Sequence, residues 1–367
     1  MKDKDIMKTI DKIVWWIPLK NLRNNIRKLL INNYTVNNKI NELLNITDNL
    51  NNEVNNIKNI NYANLNELNI IKNNLNILNT KITNSSNDKE ANFEKIYTVN
   101  NYDKPLVCTS QLCNQEFFGL PIYQYWCNKI LEKPRFHRKQ WEFIYIIQAL
   151  YENGCLKEDK KGLVFGVGKE PLPALFASMG CKILATDLDC NTEQAKGWIE
   201  NNQHAQNDIN NLNDRNICAD KIFNENVSFM PLDMNEIPDT LKDFDFNWSS
   251  CALEHIGGLE NSINFLINNL KTLKSGGIAV HTTEYNLSSN EETFLNPYNV
   301  IFRNRDILEA VRRLEDLGHY VYPLDFRQGT LMADNHVDIP PYSLNPHLRL
   351  QIDKYVATSI GLIVKKK

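Results

Sequence analysis

Asp187 stands nineteen residues after the second glycine of a Gly166-Val167-Gly168 turn, and that interval restricts the chain more than any other feature in it. Leu163, Val164 and Phe165 read as a short apolar strand that ends where the glycines begin. Gly166 and Gly168 let the backbone turn tightly and approach a ligand with no Cβ in the way. Pro171 or Pro173 then starts a helix, where a missing N–H costs little. That helix runs to Gly180, and Lys182–Thr186 reads as a second strand with Asp187 at its tip. An acid in that place is set to accept hydrogen bonds from ribose hydroxyls. The third glycine of a dinucleotide fingerprint is missing, because Pro171 occupies its position. This argues against a tightly held NAD and for a looser nucleoside site.

Further apolar runs follow at Val227–Met230, Phe244–Trp248 and Ile278–Thr282, with helical stretches between them. Strands alternating with helices predict a parallel sheet covered on both faces, an α/β fold. His319–Phe326 and Ala357–Val364 break the alternation and are expected to pair antiparallel at one edge. Upstream, residues 91–159 read as a helical cap on the substrate side. Arg135, His137, Arg138 and Lys139 there precede a strongly apolar helix, Trp141–Leu150. They can reach an anionic ligand or simply form a solvated helix start.

From about residue 160 to 367 the chain resembles the class I S-adenosylmethionine-dependent methyltransferases. Gly166-Val167-Gly168 is similar to the family's first motif, and Asp187 to its ribose-binding acid. Leu232-Asp233-Met234 stands where an acid meets the adenine amine and an apolar side chain packs on the base. The segment from Phe244 through Ser250, Leu253 and Glu254 to Ile256 resembles the fourth strand and the loop after it. Leu273-Lys274-Ser275-Gly276-Gly277-Ile278 resembles the turn before the fifth. The resemblance implies a Rossmann-like, mostly parallel seven-stranded sheet with a reversed edge hairpin, and S-adenosylmethionine as cofactor. It places cofactor contacts at Phe165, Gly166, Val167, Gly168, Glu170, Asp187, Leu188, Asp233, Met234, Ser250 and Leu253. One departure stands out: Val164 occupies a position that often carries an acid, and Glu170 is the candidate to contact the methionine part instead.

Methyl transfer demands position above all, and a base if the acceptor must lose a proton. His255, next to Glu254 on the loop after the fourth strand, can take a proton near pH 7 or merely pack and cap the next helix. His281, with Glu284 and Tyr285 at the expected tip of the fifth strand, is the second candidate; a core histidine is the plain alternative. Asp334, His336 and Asp338 alternate in a way that can bind a metal, though a substrate-contacting or structural loop is the simpler reading. The eight cysteines contain no C-x-x-C pair and read as reduced thiols. Cys108, Cys113, Cys127 and His137 match no common zinc spacing, and no metal is expected.

The first 39 residues carry seven Lys and two Arg against three Asp, while the whole chain has a net charge of -3. A basic end on an acidic body suggests a partner for that end, and nucleic acid is not indicated by the total charge. Trp15-Trp16-Ile17-Pro18-Leu19-Lys20 leads into Leu22, Ile26, Leu29 and Leu30 at helical spacing, interleaved with Arg23, Arg27 and Lys28. Such a segment suits the surface of an anionic membrane or a docking face. It is similar to segments of bacterial surface-polysaccharide enzymes, which implies a sugar or glycan acceptor. The other acceptors are a small metabolite or a protein side chain. A non-catalytic scaffold that only binds the cofactor is a further reading.

Between Ile40 and Ile82, ten of thirteen a and d positions of a heptad repeat are apolar, so residues 40–84 are expected to form a coiled coil and make the protein a homo-oligomer. The competing reading is an Asn-rich linker. No stretch approaches the ~20 apolar residues of a membrane span, and no signal peptide is evident. A cytoplasmic enzyme, peripheral at the inner membrane face, is the expectation.

Overall fold

The computed structural model describes residues 3–15, 20, 23–33, 35, 38–39, 109–201, 203–205, 209–296 and 298–367. The chain divides into two compact units, Met1–Ile96 and Tyr97–Lys367. In the first, helix α1 (Asp3–Trp15) and helix α2 (residues 23–33) are linked by an ion pair between Arg27 Nε and Asp11 Oδ1 at 2.6 Å. The expected coiled coil at 40–84 and Cys108 lie outside the described residues. No described helix is long and apolar enough to cross a membrane.

The second unit begins with β1 (Ser110–Leu112), α3 (Gln115–Phe118), α4 (Pro121–Lys129) and α5 (Arg138–Glu152). Then come β2 (Lys161–Val164), α6 (Leu172–Ser178), β3 (Lys182–Asp187), α7 (Lys196–Glu200), α8 (Asp220–Asn226), β4 (Val227–Pro231) and β5 (Phe244–Ser250). The last part holds α9 (Leu259–Asn268), β6 (Leu273–Asn286), β7 (Leu295–Asn296), β8 (Asn299–Val300), α10 (Asn304–Asp316), β9 (Tyr320–Val321), β10 (Leu324–Asp325), β11 (Val337–Asp338), β12 (Arg349–Ile352) and β13 (Tyr355–Lys365).

Five strands are parallel, in the order β4-β3-β2-β5-β6. The chain moves outward from β2 through β3 to β4, then crosses back to β5 on the other side of β2. The point of reversal, between β2 and β5, is where an open α/β sheet leaves a crevice beyond its strand ends. Leu163, Val164 and Phe165 have no exposed surface, as expected of a central strand covered on both faces. One face packs Val164, Phe246 and Trp248 against α5 and α6. The other packs Leu163 and Phe165 against α9 and α10.

The edge is more divided than the expected seven strands, and among the described residues the sheet has eleven. β13 runs antiparallel to β6 from Ala357↔Asn286 to Lys365↔Ile278. Its other side is shared by three short segments. β9 pairs Val321 with Val364, β1 pairs Leu112 with Ile360, and β12 pairs Leu350 with Ala357. The reversed edge pairing is therefore present, but the run His319–Phe326 splits into β9 and β10. Pro323 lacks the N–H that would continue the ladder on β13. The chain crosses instead to the far side of β1, where the Pro323 carbonyl accepts a bond from Ser110 N–H at 2.9 Å.

The described part of the 91–159 region holds strand β1 as well as helices α3–α5, and it is built into the sheet unit rather than perched on it. α5 is buried all round from Gln140 to Leu150. Its two glutamines find partners: Tyr123 Oη donates to Gln140 Oε1 at 3.0 Å, and Trp126 Nε1 to Gln148 Oε1 at 2.6 Å. The Tyr145 ring packs against β13 at Gly361, where an added Cβ would come within 2.0 Å of it.

Candidate active site

A cavity of about 1050 Å³ opens at the carboxyl ends of β2, β3, β4 and β5. Its floor is the turn after β2. Gly166 and Gly168 have φ of +62° and +51°, in the left-handed region that favours glycine. A Cβ at Gly166 would meet the Ala252 Cβ at 2.7 Å, and one at Gly168 the Gln203 carbonyl oxygen at 2.6 Å. At the tip of β3, the Asp187 carboxylate is locked to this turn. Its Oδ2 accepts from Gly168 N–H at 3.0 Å and its Oδ1 from Leu188 N–H at 2.9 Å. Burial raises the Asp187 carboxyl above its ordinary range, opposed by His204 and by these backbone donors. His204 is in turn held by the Leu188 carbonyl at 2.9 Å.

Beyond Asp187, the wall is apolar at Leu188, Leu232 and Met234 and polar at Asp233. Opposite lies the loop after β5. Here His255 Nδ1 meets the Tyr298 carbonyl at 2.7 Å, and the His255 ring stands edge-on to Trp198 at 4.7 Å. A carbonyl only accepts, so Nδ1 carries the proton and Nε2 of the neutral ring is left basic.

The inner end is dominated by charge from α5. Glu142 is fully buried, with Lys139 Nζ 2.7 Å from its Oε2 and Arg138 Nη1 3.3 Å from its Oε1. Ser359 Oγ donates to Glu142 Oε1 at 2.5 Å, and Cys251 Sγ at 3.0 Å. Arg138 Nη2 also meets Glu284 Oε1 at 2.6 Å. Burial alone would raise the Glu142 carboxyl, but Lys139 and Arg138 outweigh it and bring it down to about 2. Cys251, with φ +48°, bends the chain off β5 so that its N–H reaches Thr282 Oγ1 at 3.2 Å.

Of the residues expected to hold a cofactor, Gly166, Val167, Gly168, Glu170, Asp187, Leu188, Asp233, Met234 and Ser250 line the cavity, as does the candidate base His255. Four expectations are corrected. Phe165, by alternation at the end of β2, and Leu253, in the helical turn after β5, face the α9 side of the core rather than the crevice. Glu254 is buried beneath the loop, accepting from Thr283 Oγ1 at 3.1 Å. His281 is not at a strand tip. Pairing with β13 carries β6 on to Asn286, which leaves His281 inside the sheet with Nδ1 on Ser249 Oγ at 2.8 Å. Burial lowers the His281 imidazole to about 3, so it stays neutral.

Lys139 and Arg138 are not a solvated helix start: Lys139 lines the cavity and Arg138 is paired beneath it. Phe143, Trp198, His204 and Tyr298 also line it; Phe143 belongs to the expected apolar helix, while Trp198 on α7 and Tyr298 in the β7–β8 hairpin stand in segments that carry no motif. The 334–338 segment is structural. Asp334 accepts Gln115 N–H at 2.7 Å and Asp338 pairs with His347 Nδ1 at 2.6 Å. Among the described residues no three His, Cys, Asp or Glu side chains converge to hold a metal ion.

No family model and no curated protein matches the chain. Solved structures do resemble it. A TehB-like SAM-dependent methyltransferase from Corynebacterium glutamicum is 14% identical with a TM-score of 0.35, covering 69% of this chain and 100% of that one. Magnesium protoporphyrin IX methyltransferase from Synechocystis, with bound SAH, is 12% identical with a TM-score of 0.37, covering 69% and 98%. The DhpI–SAH complex is 13% identical with a TM-score of 0.33, covering 58% and 78%. At such values the reading rests on the chain's own geometry.

Proposed function

We infer that this chain is an S-adenosylmethionine-dependent methyltransferase acting on a hydroxyl acceptor, with a sugar or glycan as the favoured class. The observation that carries the inference is Asp187. It is fixed by two backbone N–H groups at the tip of β3, beside a left-handed glycine turn, at the reversal point of a parallel sheet. The donor set fits an adenosyl ligand: an acid for the ribose, an apolar wall at Leu188, Leu232 and Met234 for a flat base, and Asp233 for its amine. The cavity is at the upper end of the usual ~300–1,000 Å³ for small-molecule sites, which leaves room for an acceptor beside the cofactor.

S-adenosylmethionine, when bound, supplies a methyl group activated by a sulfonium. The chain supplies the rest. Gly166–Gly168 and Asp187 hold the nucleoside, and the loop after β5 holds the acceptor. His255 Nε2 removes the acceptor's proton, its tautomer fixed by the Tyr298 carbonyl. Trp198 and Tyr298, which line the cavity with His255, are the aromatic residues available for the apolar side of a sugar ring. The resemblance of residues 15–27 to surface-polysaccharide enzymes supports the same acceptor class. Attachment of that segment to anionic membrane and oligomerisation through residues 40–84 belong to this reading.

Calorimetric titration with S-adenosylmethionine, S-adenosylhomocysteine and NAD is the first test. Binding of both adenosyl ligands but not NAD is expected. Absence of adenosyl binding would refute the cofactor. A panel of glycan and non-glycan acceptors then tests the substrate class, and turnover confined to a non-glycan would refute the sugar.

A further inference from the structure

After β3 the chain leaves the sheet at Asp187, runs out over residues 188–201, and returns to the same place at 203–205. No residue of α7, in the outer part of this loop, is buried. The loop is fastened at two points instead, where Ala195 and Ala205 have no exposed surface. Its returning end makes three contacts with the cofactor side of the cavity. The Gln203 carbonyl oxygen stands over Gly168, 2.6 Å from where a Cβ would lie. The Ala205 N–H comes to the Asp187 carboxylate as a further backbone donor. His204 is 1% exposed, stands 3.8 Å from Asp187 Oδ1 through its Nε2, and holds the Leu188 carbonyl with that same atom at 2.9 Å. A carbonyl only accepts, so Nε2 carries the proton. A side chain sixteen positions downstream thus ties down the residue next to the acid. Farther out, the Trp198 carbonyl accepts from Gln203 N–H at 2.8 Å, and the Trp198 ring stands edge-on to His255 at 4.7 Å. One loop therefore touches the glycine turn, the acid and the candidate base.

We propose that His204 is a positioning residue: its bond to the Leu188 carbonyl clasps this loop shut, so that Asp187 and the Leu188 wall meet the nucleoside already in place. The proposal rests on the methyltransferase reading and adds to it a residue that touches neither cofactor nor acceptor. The physical reason is entropy. A loop with an unburied helix is ordered by the few bonds at its ends, and fixing its backbone costs free energy for every residue held. If the clasp is closed before the ligand arrives, that cost does not fall on binding. If it is open, only the closed fraction of molecules offers a competent site, and affinity drops by that fraction. The ligand in turn favours the closed form, because Asp187 and Leu188, which it contacts, are the residues that the clasp holds.

Two measurements on the full chain test this. The first is calorimetry with S-adenosylhomocysteine and with 5′-methylthioadenosine, which keeps the nucleoside and lacks the amino-acid end. His204→Leu keeps bulk and loses the donor; His204→Gln restores an N–H at similar reach. His204→Leu should weaken both ligands about tenfold and by the same factor, and His204→Gln should bring both back to within about threefold of wild type. A residue that only stabilised the fold would lower the unfolding midpoint and leave both affinities unchanged below it. The second is cleavage by trypsin after Lys196, followed by fragment mass. The Lys196 side chain is 61% exposed, so opening of the loop is what limits the cut. Cleavage should be about tenfold faster in His204→Leu than in wild type, and saturating S-adenosylhomocysteine should slow it about tenfold or more in wild type. Wild-type affinity in His204→Leu would overturn the proposal, as would His204→Gln binding no better than His204→Leu, or loss of S-adenosylhomocysteine affinity alone. Equal cleavage of wild type with and without bound ligand would also overturn it, and needs no folded variant. Absence of binding by either adenosyl ligand to wild type would instead overturn the methyltransferase reading, while cleavage of the variants would still decide the clasp.

Discussion

At the scale of single residues, the proposed reaction separates groups that would hold a ligand from groups that would do chemistry. Asp187 belongs to the first kind. On that reading, removing its carboxylate deletes charge-assisted bonds to the ribose; it also frees the Gly168 and Leu188 N–H groups. Asp187→Ala should weaken S-adenosylhomocysteine binding at least ~100-fold, about 3 kcal/mol, measured by calorimetry. His255 belongs to the second. His255→Gln should leave S-adenosylhomocysteine affinity within about twofold and lower kcat on a responsive acceptor by about 10²–10³. A variant with full kcat would remove His255 from the mechanism. The sequence pointed to both residues, through the strand–turn–strand interval and the loop after the fourth strand. It could not point to the Tyr298 carbonyl, because a backbone oxygen has no residue type and lies 43 positions away.

Among the elements, α5 is the one that joins fold to site. Its apolar residues fill the core under β6 and β13, while its first turn delivers Lys139 to the cavity. Glu142 holds that turn together, so its loss takes the ion-pair partner from Lys139 and leaves Arg138 with Glu284 alone. Glu142→Ala should cost about 3–5 kcal/mol in urea unfolding at pH 7, whereas breaking an exposed pair such as Arg312–Asp316 should leave the unfolding midpoint nearly unchanged. The sign with pH follows from the depressed carboxyl. The contribution of Glu142 is complete above its unfolded pKa, near 4.5, and is lost as pH falls through about 2. Wild type and Glu142→Ala should therefore converge in stability over that interval. The apolar run of α5 was plain in the sequence. That its basic start faces a cavity was not, because a helix start looks alike whether it meets solvent or a carboxylate brought in from a distant strand.

For the whole molecule, acid should act before the carboxylates titrate. Burial lowers His281 to about 3, and burial together with His347 does the same for His137. Both stay neutral in the fold while the unfolded chain takes up protons below about 6.5. Stability should fall as pH drops from 6.5 toward 3, by about 1.4 kcal/mol per unit for each histidine. His281→Leu should remove one such increment from the slope of unfolding free energy between pH 6 and 4; an unchanged slope would mean His281 is protonated in the fold. Sedimentation of the full chain beside residues 97–367 tests the proposed coiled coil, since equal subunit number in both would refute it. Recovery on anionic vesicles, with and without residues 1–39, tests the proposed membrane contact in the same way.

Local order was legible in the sequence because its causes are local. Left-handed glycines at 166 and 168, prolines that open a helix, an acid at a strand tip and alternating apolar runs each act over a few residues. They were enough to determine a parallel α/β sheet and nine of the residues that line its crevice. The edge of the sheet was decided only in three dimensions. Three short strands from distant parts of the chain compete for one side of β13, and nothing local to residues 110–112 or 349–352 says that they will share it. The same distance effect moved His281 from a strand tip into the core, since the length of β6 is set by how far β13 runs beside it. Which side chains face the crevice and which face the core depends on such pairings, and a pairing is a property of two segments at once.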